Sequence, residues 1–263
     1  MNPLPVTKNS KEINRRIRKV NRDLLIGKTI IPKLRSMHTI RAQMPEECEQ
    51  IATMHAKSFV YICMADVPAY AEYLKTCDFD SVFEWHKRFF QVIEGNDRPK
   101  RWLLKDPSHI GHIPSILKTY PNAKFINIHR NPTEAVGSFC SLTNNIRSSF
   151  TKKIDKAAIG ETVIDFWSHN ISQGMMDRDL IPENNITDVM YEDFIKNPLL
   201  EIKNIYSNLQ LDMTIEVENN IQSHLSQGRI KSKSKHRYSI QDFDISEENI
   251  RHHFRDYMLK YNF

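Results

Sequence analysis

Apolar residues recur mainly at helical spacing along this chain, so most of the predicted elements are helices. The first predicted helix has apolar residues on one side and basic residues on the other, and we expect its basic side to be solvated. Its apolar residues are Ile13, Ile17, Val20 and Leu24. The same periodicity predicts longer helices over the aromatic-rich range 79–93 and over 199–209.

Short apolar runs interrupt the helical pattern at 101–105, 125–128 and 186–190. Runs of this length are typical of strands in a covered sheet. Because these strands alternate with helices, the sequence predicts a helix-rich α/β fold with a parallel sheet. In such a fold the functional residues gather at the carboxyl ends of the strands.

The second apolar run leads directly into a helix start, in the stretch FINIHRNPTEAVGSF (125–139). Asn131 is a favourable N-cap, Pro132 suits the first helical position, and Glu134 has capping-box spacing. The first turn of such a helix presents free N–H groups and the positive end of the helix dipole. Arg130 adds a fork of donors suited to phosphate or sulfate, and Ser138 falls about 10 Å further along nearly the same face. The stretch therefore predicts an anion site; in the alternative, Arg130 pairs with a carboxylate and Ser138 is an ordinary helix residue.

The three predicted strands end in polar residues that suit one site. Lys105 ends the first strand and His109 follows it, Arg130 ends the second, and Tyr191 follows the third. Together they describe a site for a phosphorylated nucleotide, with a base able to move a proton. His109 and His112 are one helical turn apart, but no third ligand is visible nearby, so we expect no metal.

Composition and charge narrow the class of ligand. The 263 residues carry a net charge of +5, which favours an anionic ligand without indicating nucleic acid. No apolar run is long enough for a transmembrane segment, and the N-terminus has no apolar core of a secretory signal. The four cysteines follow no paired spacing, so free thiols in a reducing cytoplasm are expected.

A basic polar loop, SQGRIKSKSKHRYS, covers 226–239. It could close over the nucleotide site, with Lys235 and Arg237 as its candidate contacts, although such runs are usually solvated surface. A basic nucleic-acid-binding protein is a weaker interpretation, because no basic motif interleaved with aromatic residues supports it.

Several segments of the chain together resemble one known family, the sulfotransferases that use 3′-phosphoadenosine 5′-phosphosulfate, and the bacterial branch most of all. The resemblance is carried by RWLLKDPSHIGHIPSILKTYPNAKFINIHRNPTEAVGSFCSL, PEECEQI, DVMYEDFIKNPLLEIKNIY, KHRYSIQDF and RHHFRDYMLKYNF. Its most specific part is the R-x-P-x5-S pattern at Arg130, Pro132 and Ser138. It implies a single domain over 1–263 with the parallel-sheet, P-loop-NTPase-like sulfotransferase fold.

The resemblance also implies roles for individual residues. Arg130 and Ser138 would bind the 3′-phosphate of the donor, and Tyr191 would pack near the adenine. Lys105 would lie beside the sulfuryl group. His109 is the nearest candidate for the catalytic base, although its offset from Lys105 differs from the animal cytosolic enzymes. In the alternative, His109 caps its own helical turn.

One departure from the family concerns the 5′ end of the donor. Relatives hold the 5′-phosphosulfate with backbone N–H groups of a loop of the form P-[KR]-[ST]-G-T-T, which follows the first strand. No such loop occurs in these residues, and Ile26-Gly27-Lys28-Thr29 is only a superficial match inside the first predicted helix. The resemblance therefore implies a chain that lacks the first strand and phosphate loop.

Two functional interpretations follow from this departure. In the first, the protein transfers a sulfuryl group to a hydroxyl or amine of a small-molecule, glycan or lipid acceptor. In the second, it is a non-catalytic, sulfotransferase-like nucleotide-binding or interaction module. The sequence leaves the acceptor and the oligomeric state open.

Overall fold

The computed structural model describes residues 7–30, 41–94, 101–226 and 239–263, with the backbone path alone for 28–30. Helices make up most of these residues, as the apolar spacing predicts. In chain order the α-helices are α1 (Ser10–Ile30), α2 (Glu49–Met54), α3 (Val60–Met64), α4 (Pro68–Thr76), α5 (Asp80–Glu94), α6 (Ile113–Thr119), α7 (Pro132–Arg147), α8 (Lys156–Asp177), α9 (Tyr191–Lys196), α10 (Pro198–Asn208), α11 (Ile215–Ser226), α12 (Glu247–His253) and α13 (Arg255–Tyr261). Short 3-10 helices cover Pro107–His112, Arg178–Leu180, Glu183–Asn185 and Ile240–Phe243.

Two parallel strands, β1 (Phe125–His129) and β2 (Ile186–Met190), form the sheet in the described part of the chain. Their register pairs Phe125 with Ile186 and His129 with Met190, so their carboxyl ends lie side by side. This arrangement confirms the parallel α/β sheet and both of these strand predictions. It also places the residues that follow β1 and β2 at one edge of the sheet.

The strand predicted over 101–105 is wrong, because these residues have no regular secondary structure. Neither β1 nor β2 pairs with them, so their backbone lacks the ladder that would define a strand. Leu103 is 86% exposed, which shows that the apolar run does not enter the core. The segment is instead fixed at one point, where the backbone N–H of Cys48 donates to the carbonyl of Lys105 at 2.9 Å.

The core consists of two large apolar clusters that meet along α7 and α8. One cluster joins these helices to the C-terminal segment through Val136, Cys140, Ile159, Val163, Phe243, Ile250 and Phe254. The other joins them to the helices before β1 through Phe59, Ile62, Leu74, Phe79, Phe83, Ile116 and Phe166. A third and smaller cluster covers one face of β2. The sheet edge that holds the strand ends therefore rests on helices that are fixed from both sides.

Helix α1 lies apart from these clusters. A polar link joins it to a later segment, the bond from the backbone N–H of Ala42 to the Asn21 side chain, at 3.2 Å. Gly27 lies inside this helix, so the short G-K-T match is part of a helix and not of a loop after a strand. In the ranges described, no helix combines the length and apolar character that crossing a membrane requires.

Candidate active site

Helix α7 begins where β1 ends, and its start is capped as the sequence predicts. The side chain of Asn131 accepts a hydrogen bond from the backbone N–H of Thr133 at 2.9 Å, and Pro132 occupies the first helical position. These residues fix the direction in which the chain leaves the strand. The other N–H groups of the first turn have no intrahelical acceptor, and the helix dipole favours an anion at this end of α7. We call the range 129–134 the β1–α7 corner.

Arg130 is held in the corner by one carboxylate and one aromatic ring. Its Nε and Nη2 donate to Oε2 of Glu134 at 3.2 and 3.0 Å. Its guanidinium carbon lies 4.8 Å from the ring centroid of Tyr191, the first residue of α9. The structure therefore brings Arg130 and Tyr191 together, although they are far apart in sequence. It also contains the carboxylate pair of the alternative interpretation.

The contact between Arg130 and Glu134 does not use the whole guanidinium. The Arg130 side chain is 36% exposed, and its Nη1 makes no hydrogen bond with the residues that the structure describes. An exposed pair of this kind, four residues apart in a helix, contributes about 0.5 kcal/mol or less. A phosphate has more acceptor oxygens than Glu134 offers, so it would compete well for this arginine.

Next to Arg130, the His129 side chain is almost completely buried. Its Nε2 lies 2.8 Å from Oδ1 of Asp188, and its Nδ1 lies 3.1 Å from the hydroxyl of Tyr257. The imidazole also stacks on the ring of Tyr261, with 3.6 Å between centroids. Two strands and α13 are thus joined beneath the corner, which fixes the backbone that carries Arg130.

Asp188 receives a second partner in this network. Arg178 donates to both of its carboxylate oxygens. Burial raises the pKa of Asp188, but the bonds from His129 and Arg178 outweigh it and hold that pKa below its usual range. The carboxylate therefore stays ionised at neutral pH and keeps both partners in place.

Ser138 lies half-buried in the second turn of α7, close behind the corner. Its hydroxyl makes no contact with Arg130 in the described residues. Its role in binding an anion stays a prediction from the sequence pattern. Lys235 and Arg237, the two candidate contacts in the basic loop, lie outside the described residues.

A second polar region lies around residues 105–109. We call this range of residues the Lys105–His109 turn. Asp106 caps the 3-10 helix that follows, because its carboxylate accepts from the N–H and the hydroxyl of Ser108 at 2.8 and 2.6 Å. The cap is therefore Asp106, and His109 does not cap its own turn. Lys105 pairs with Glu47, and its exposed side chain points away from the core.

Behind this turn lies a buried carboxyl group, that of Glu49. Its Oε1 accepts from the hydroxyl of Ser58, whereas its Oε2 is buried and has no donor among the described residues. Burial, followed by the nearby carboxylate of Asp106, raises the pKa of Glu49 to about 8. At neutral pH Glu49 is therefore protonated, and its proton can be shared with Asp106.

The ring of His109 lies among aromatic residues of α5. Its centroid is 5.7 Å from Phe83 and 6.4 Å from His86. His86 is buried; its Nδ1 lies 2.8 Å from the hydroxyl of Tyr120, and its Nε2 has no partner in the described residues. Burial, and then the charge of His109, lowers the pKa of His86 to about 4.

Burial also lowers the pKa of His109 below its ordinary value, and Asp106 offsets this in part. A histidine with a lowered pKa is neutral at physiological pH, which is the state that can accept a proton. By contrast, the ring of His112 stacks on Phe79 with 3.5 Å between centroids. Across the described ranges, no three potential metal-ligating side chains lie close enough to form a metal site.

The structure thus divides the predicted site residues into two groups. Arg130 lies in the β1–α7 corner, with Tyr191 against it and Ser138 further along α7, whereas Lys105 and His109 belong to the other region. Most of the residues that hold each group in place could not be singled out from the sequence pattern. These are Asp188 and Tyr257 at the corner, and Glu47, Glu49, His86 and Asp106 at the turn; the pattern indicated Glu134 only as a capping residue. The PEECEQI stretch, with acidic residues at three of four successive positions, was a signal for Glu47 and Glu49.

Comparisons with known proteins point to one family. A family profile described as "Sulfotransferase family" matches residues 4–215. The omega-hydroxy-beta-dihydromenaquinone-9 sulfotransferases Stf3 of Mycobacterium bovis and Mycobacterium tuberculosis are each 26% identical over 201 residues, which is 69% of this chain and 50% of theirs.

Solved structures give a similar result. Sulfotransferase STF1 from Mycobacterium tuberculosis superposes with a TM-score of 0.79 at 28% identity, over 91% of this chain and 62% of that one. For sulfotransferase STF9 from Mycobacterium avium the TM-score is 0.76 at 23% identity, over 88% of this chain and 63% of that one. The chain spans about half the length of the curated relatives that it matches.

Proposed function

Because the chain belongs to the sulfotransferase family, we propose that it binds 3′-phosphoadenosine 5′-phosphosulfate and serves sulfuryl transfer to an acceptor hydroxyl or amine. The observation that carries this proposal is the geometry of the β1–α7 corner. There, a guanidinium stacked on an aromatic ring lies at the capped start of a 16-residue helix, directly after a strand. This is a favourable environment for a nucleotide phosphate.

The residues of the corner fit the nucleotide half of the donor. The guanidinium fork of Arg130 and the N–H groups of α7 would hold the 3′-phosphate, with the Ser138 hydroxyl as a further donor. Tyr191 offers an aromatic surface beside Arg130 for the adenine. Lys235 and Arg237 remain candidate contacts of the same phosphate. No metal takes part in this proposal.

The Lys105–His109 turn would provide the reacting end. When bound, the donor supplies the sulfuryl group, which passes from the 5′-phosphate oxygen to the acceptor oxygen. His109, neutral at physiological pH, would take the proton of the acceptor hydroxyl. The ammonium of Lys105 would neutralise the charge that develops on the leaving phosphate oxygen, once it releases Glu47. Both roles agree with the general requirements of transfer between oxyanions.

The acceptor class that we propose first is a lipid-borne hydroxyl. The Stf3 relatives are named for an omega-hydroxylated dihydromenaquinone, which is a lipid of this kind. The aromatic residues around His109 would suit an apolar acceptor. Hydroxyl groups of small molecules and glycans are the alternatives.

One observation favours a second candidate function, a nucleotide-binding module without turnover. These 263 residues contain no P-[KR]-[ST]-G-T-T loop, and Gly27 lies within α1. Removing one fixed oxyanion donor commonly costs a hundred-fold or more in rate. Binding one end of the donor without orienting the other gives affinity but little rate.

Calorimetric titration with adenosine 3′,5′-bisphosphate tests the nucleotide site. We expect the parent chain to bind and Arg130→Ala to lose binding, because a charge and a bidentate fork are removed together. Arg251→Ala is the matched control, since Arg251 is an exposed arginine on α12. Adenosine 5′-monophosphate, which lacks the 3′-phosphate, should bind more weakly than the bisphosphate. Equal binding by the parent and Arg130→Ala would refute the site.

A transfer assay with labelled sulfate distinguishes the two candidate functions. The purified 263-residue chain is incubated with the labelled donor and with alcoholic, phenolic, sugar and long-chain lipid acceptors. We expect turnover well below that of an ordinary enzyme, which is on the order of 1 s⁻¹ or faster. Turnover at the ordinary rate would exclude the module and show that another segment orients the 5′ end. Binding without measurable transfer would favour the module.

A further inference from the structure

Helix α1 presents an exposed cationic face. Placed at 100° per residue, five basic side chains fall within an arc of about 100°. They are Lys11, Arg15, Arg18, Lys19 and Arg22, and all five are exposed. Four apolar residues lie on the opposite side, Ile13, Ile17, Val20 and Leu24, and the last three of them are half-buried.

The charge of this helix equals the charge of the whole protein. Residues 10–30 contain seven Lys or Arg and two Asp or Glu, a net charge of +5, and the complete chain also carries +5. The two acidic residues pair with arginines of the same helix, Glu12 with Arg15 and Arg16, and Asp23 with Arg22. The rest of the chain is neutral in sum, although the 226–239 loop is itself basic, so α1 and that loop are the two segments where positive charge is concentrated.

Two large aliphatic side chains border the cationic face. Leu25 and Ile26 are each 56% exposed, and they lie near its two sides at the C-terminal half of the helix. A basic face that serves only solubility does not require exposed leucine and isoleucine. Cations combined with exposed aliphatic groups are typical of helices that lie in a membrane interface.

The cationic face is also available. Within the described ranges, no other helix or strand packs extensively against α1. An interfacial helix needs one long side open to the lipid, and the side that holds the five basic residues meets this condition. Nucleic acid would satisfy the charges, but it would leave Leu25 and Ile26 without an apolar environment.

We propose that α1 docks the protein on an anionic membrane surface. Its basic residues contact lipid phosphates, and Leu25 and Ile26 enter the boundary between headgroups and acyl chains. This docking goes beyond the proposed transfer function and does not depend on the nucleotide site. It would bring the protein to the surface where a lipid-borne hydroxyl is found.

Co-sedimentation with vesicles tests the docking. The purified chain is mixed with vesicles of phosphatidylcholine alone, or of phosphatidylcholine with phosphatidylglycerol. We expect binding to the anionic vesicles only, with a loss on the order of tenfold or more in Arg18→Glu/Lys19→Glu. Lys152→Glu/Lys153→Glu makes the same change of net charge at exposed positions of another segment, and it should bind like the parent.

A second pair of variants separates a membrane from other polyanions. Leu25→Ser/Ile26→Ser should weaken vesicle binding about fivefold, by loss of apolar insertion, and leave binding to a DNA oligonucleotide unchanged. Arg18→Gln/Lys19→Gln, built from good helix formers, repeats the charge test without adding acidic groups to the helix. Circular dichroism checks that both variants are folded.

Three results would overturn the proposal. They are absence of parent binding to anionic vesicles, equal loss in the Lys152/Lys153 control, and tighter binding of the parent to DNA than to vesicles. All α1 variants should bind adenosine 3′,5′-bisphosphate like the parent. A failure of membrane docking is therefore distinguishable from a failure of the nucleotide site.

Discussion

The β1–α7 corner and the Lys105–His109 turn both present functional side chains, but they are held in different ways. At the corner, the side chain that would bind the ligand is half-exposed, and its neighbour Glu134 lies only four residues away. At the turn, His109 lies beside Phe83 and His86 of α5 and near the carboxylate of Glu47, all of which are far away in sequence. The corner is a local structure that rests on a buried network, whereas the turn combines one local cap, Asp106, with contacts from residues that are distant in sequence.

The electrostatic environments differ accordingly. Arg130 keeps part of its fork open toward solvent, so a ligand needs to replace only one weak ion pair. Around the turn, burial raises the pKa of Glu49 and lowers those of His86 and His109. These groups are neutral near pH 7 because charging them in the interior would be costly. We therefore expect changes at the corner to alter affinity, and changes at the turn to alter rate and pH dependence.

The largest expected effect comes from removing His129, the buried side chain beneath the β1–α7 corner. His129→Ala leaves a cavity and breaks two hydrogen bonds, so it should lower the free energy of unfolding by about 3 kcal/mol. Ile128→Ala, one residue earlier and on an exposed side chain, should cost less than about 1 kcal/mol. Urea unfolding followed by fluorescence measures both. Similar losses in the two variants would show that the buried network does not fix the corner.

The next-largest expected effect is a lower turnover rate after a substitution in the Lys105–His109 turn. In any sulfate-transferring form of the protein, His109→Ala should lower turnover about 100-fold or more, as expected for loss of a general base. Affinity for adenosine 3′,5′-bisphosphate should stay nearly unchanged, because Arg130 belongs to the other region. Single-turnover transfer and calorimetry give the two quantities. Unchanged turnover would assign His109 a purely structural role.

A smaller effect should appear in the pH dependence of stability. Because the folded-state pKa of Glu49 is raised to about 8 from 4.5, its contribution to stability is complete below pH 4.5 and is lost as the pH rises toward 8. Over this range His86 and His112, whose pKa values are lowered to about 4 and about 3, are neutral in the folded state. Their unfolded forms still titrate near pH 6.5 and give a slope of the opposite sign, which is the same in the parent and in a Glu49 variant. Glu49 should add a slope of at most about 1.4 kcal/mol per pH unit.

Glu49→Gln should remove this slope, since the amide cannot ionise and can still donate to Asp106. Glu84→Gln, on the exposed side of α5, is the control and should leave the slope as it is in the parent. Urea unfolding at several pH values within the window measures the difference. An unchanged slope in Glu49→Gln would mean that Glu49 is already ionised at neutral pH.

The smallest expected effect is a change in nucleotide affinity when the ion pair between Arg130 and Glu134 is removed. Glu134→Gln removes the carboxylate that competes for Arg130, and it should raise the affinity for adenosine 3′,5′-bisphosphate about threefold. Glu161→Gln, an exposed position on α8, makes the same change of charge elsewhere. Calorimetry at low salt compares the two variants. Weaker binding by Glu134→Gln would show that this carboxylate orients Arg130 for the ligand.

The difference between local structure and contacts that are distant in sequence also explains which parts of the structure could be predicted from the sequence. The start of α7 was predicted residue by residue, because caps, prolines and strand ends are local signals. The strand at 101–105 was not, because a strand requires a neighbour and the residues themselves do not show whether one is present. An apolar run is therefore needed for a buried strand, but it does not by itself predict one.

The candidate site was predicted only in part for a similar reason. Each of Lys105, His109, Arg130 and Tyr191 was selected by its position after an apolar run. The stacking of Arg130 on Tyr191 follows from the parallel register of β1 and β2, which the sequence indicates only as a class of sheet. The buried carboxyl of Glu49 could not be recognised, because its raised pKa depends on the depth of α2 in the fold and on the nearby Asp106 carboxylate, which together outweigh the lowering by the Ser58 hydroxyl.

The backbone hydrogen bond from Cys48 to Lys105 links Cys48 to the Lys105–His109 turn, so the reactivity of the Cys48 thiol can report how often the turn opens. The Cys48 thiol is buried, and burial raises its pKa to about 12, so it should react with alkylating reagents only when this part of the structure opens. Cys77, directly after α4, is only half-buried and should react first. The ratio of the two modification rates therefore measures how often the turn opens, and a ligand that closes the site should slow the Cys48 reaction selectively.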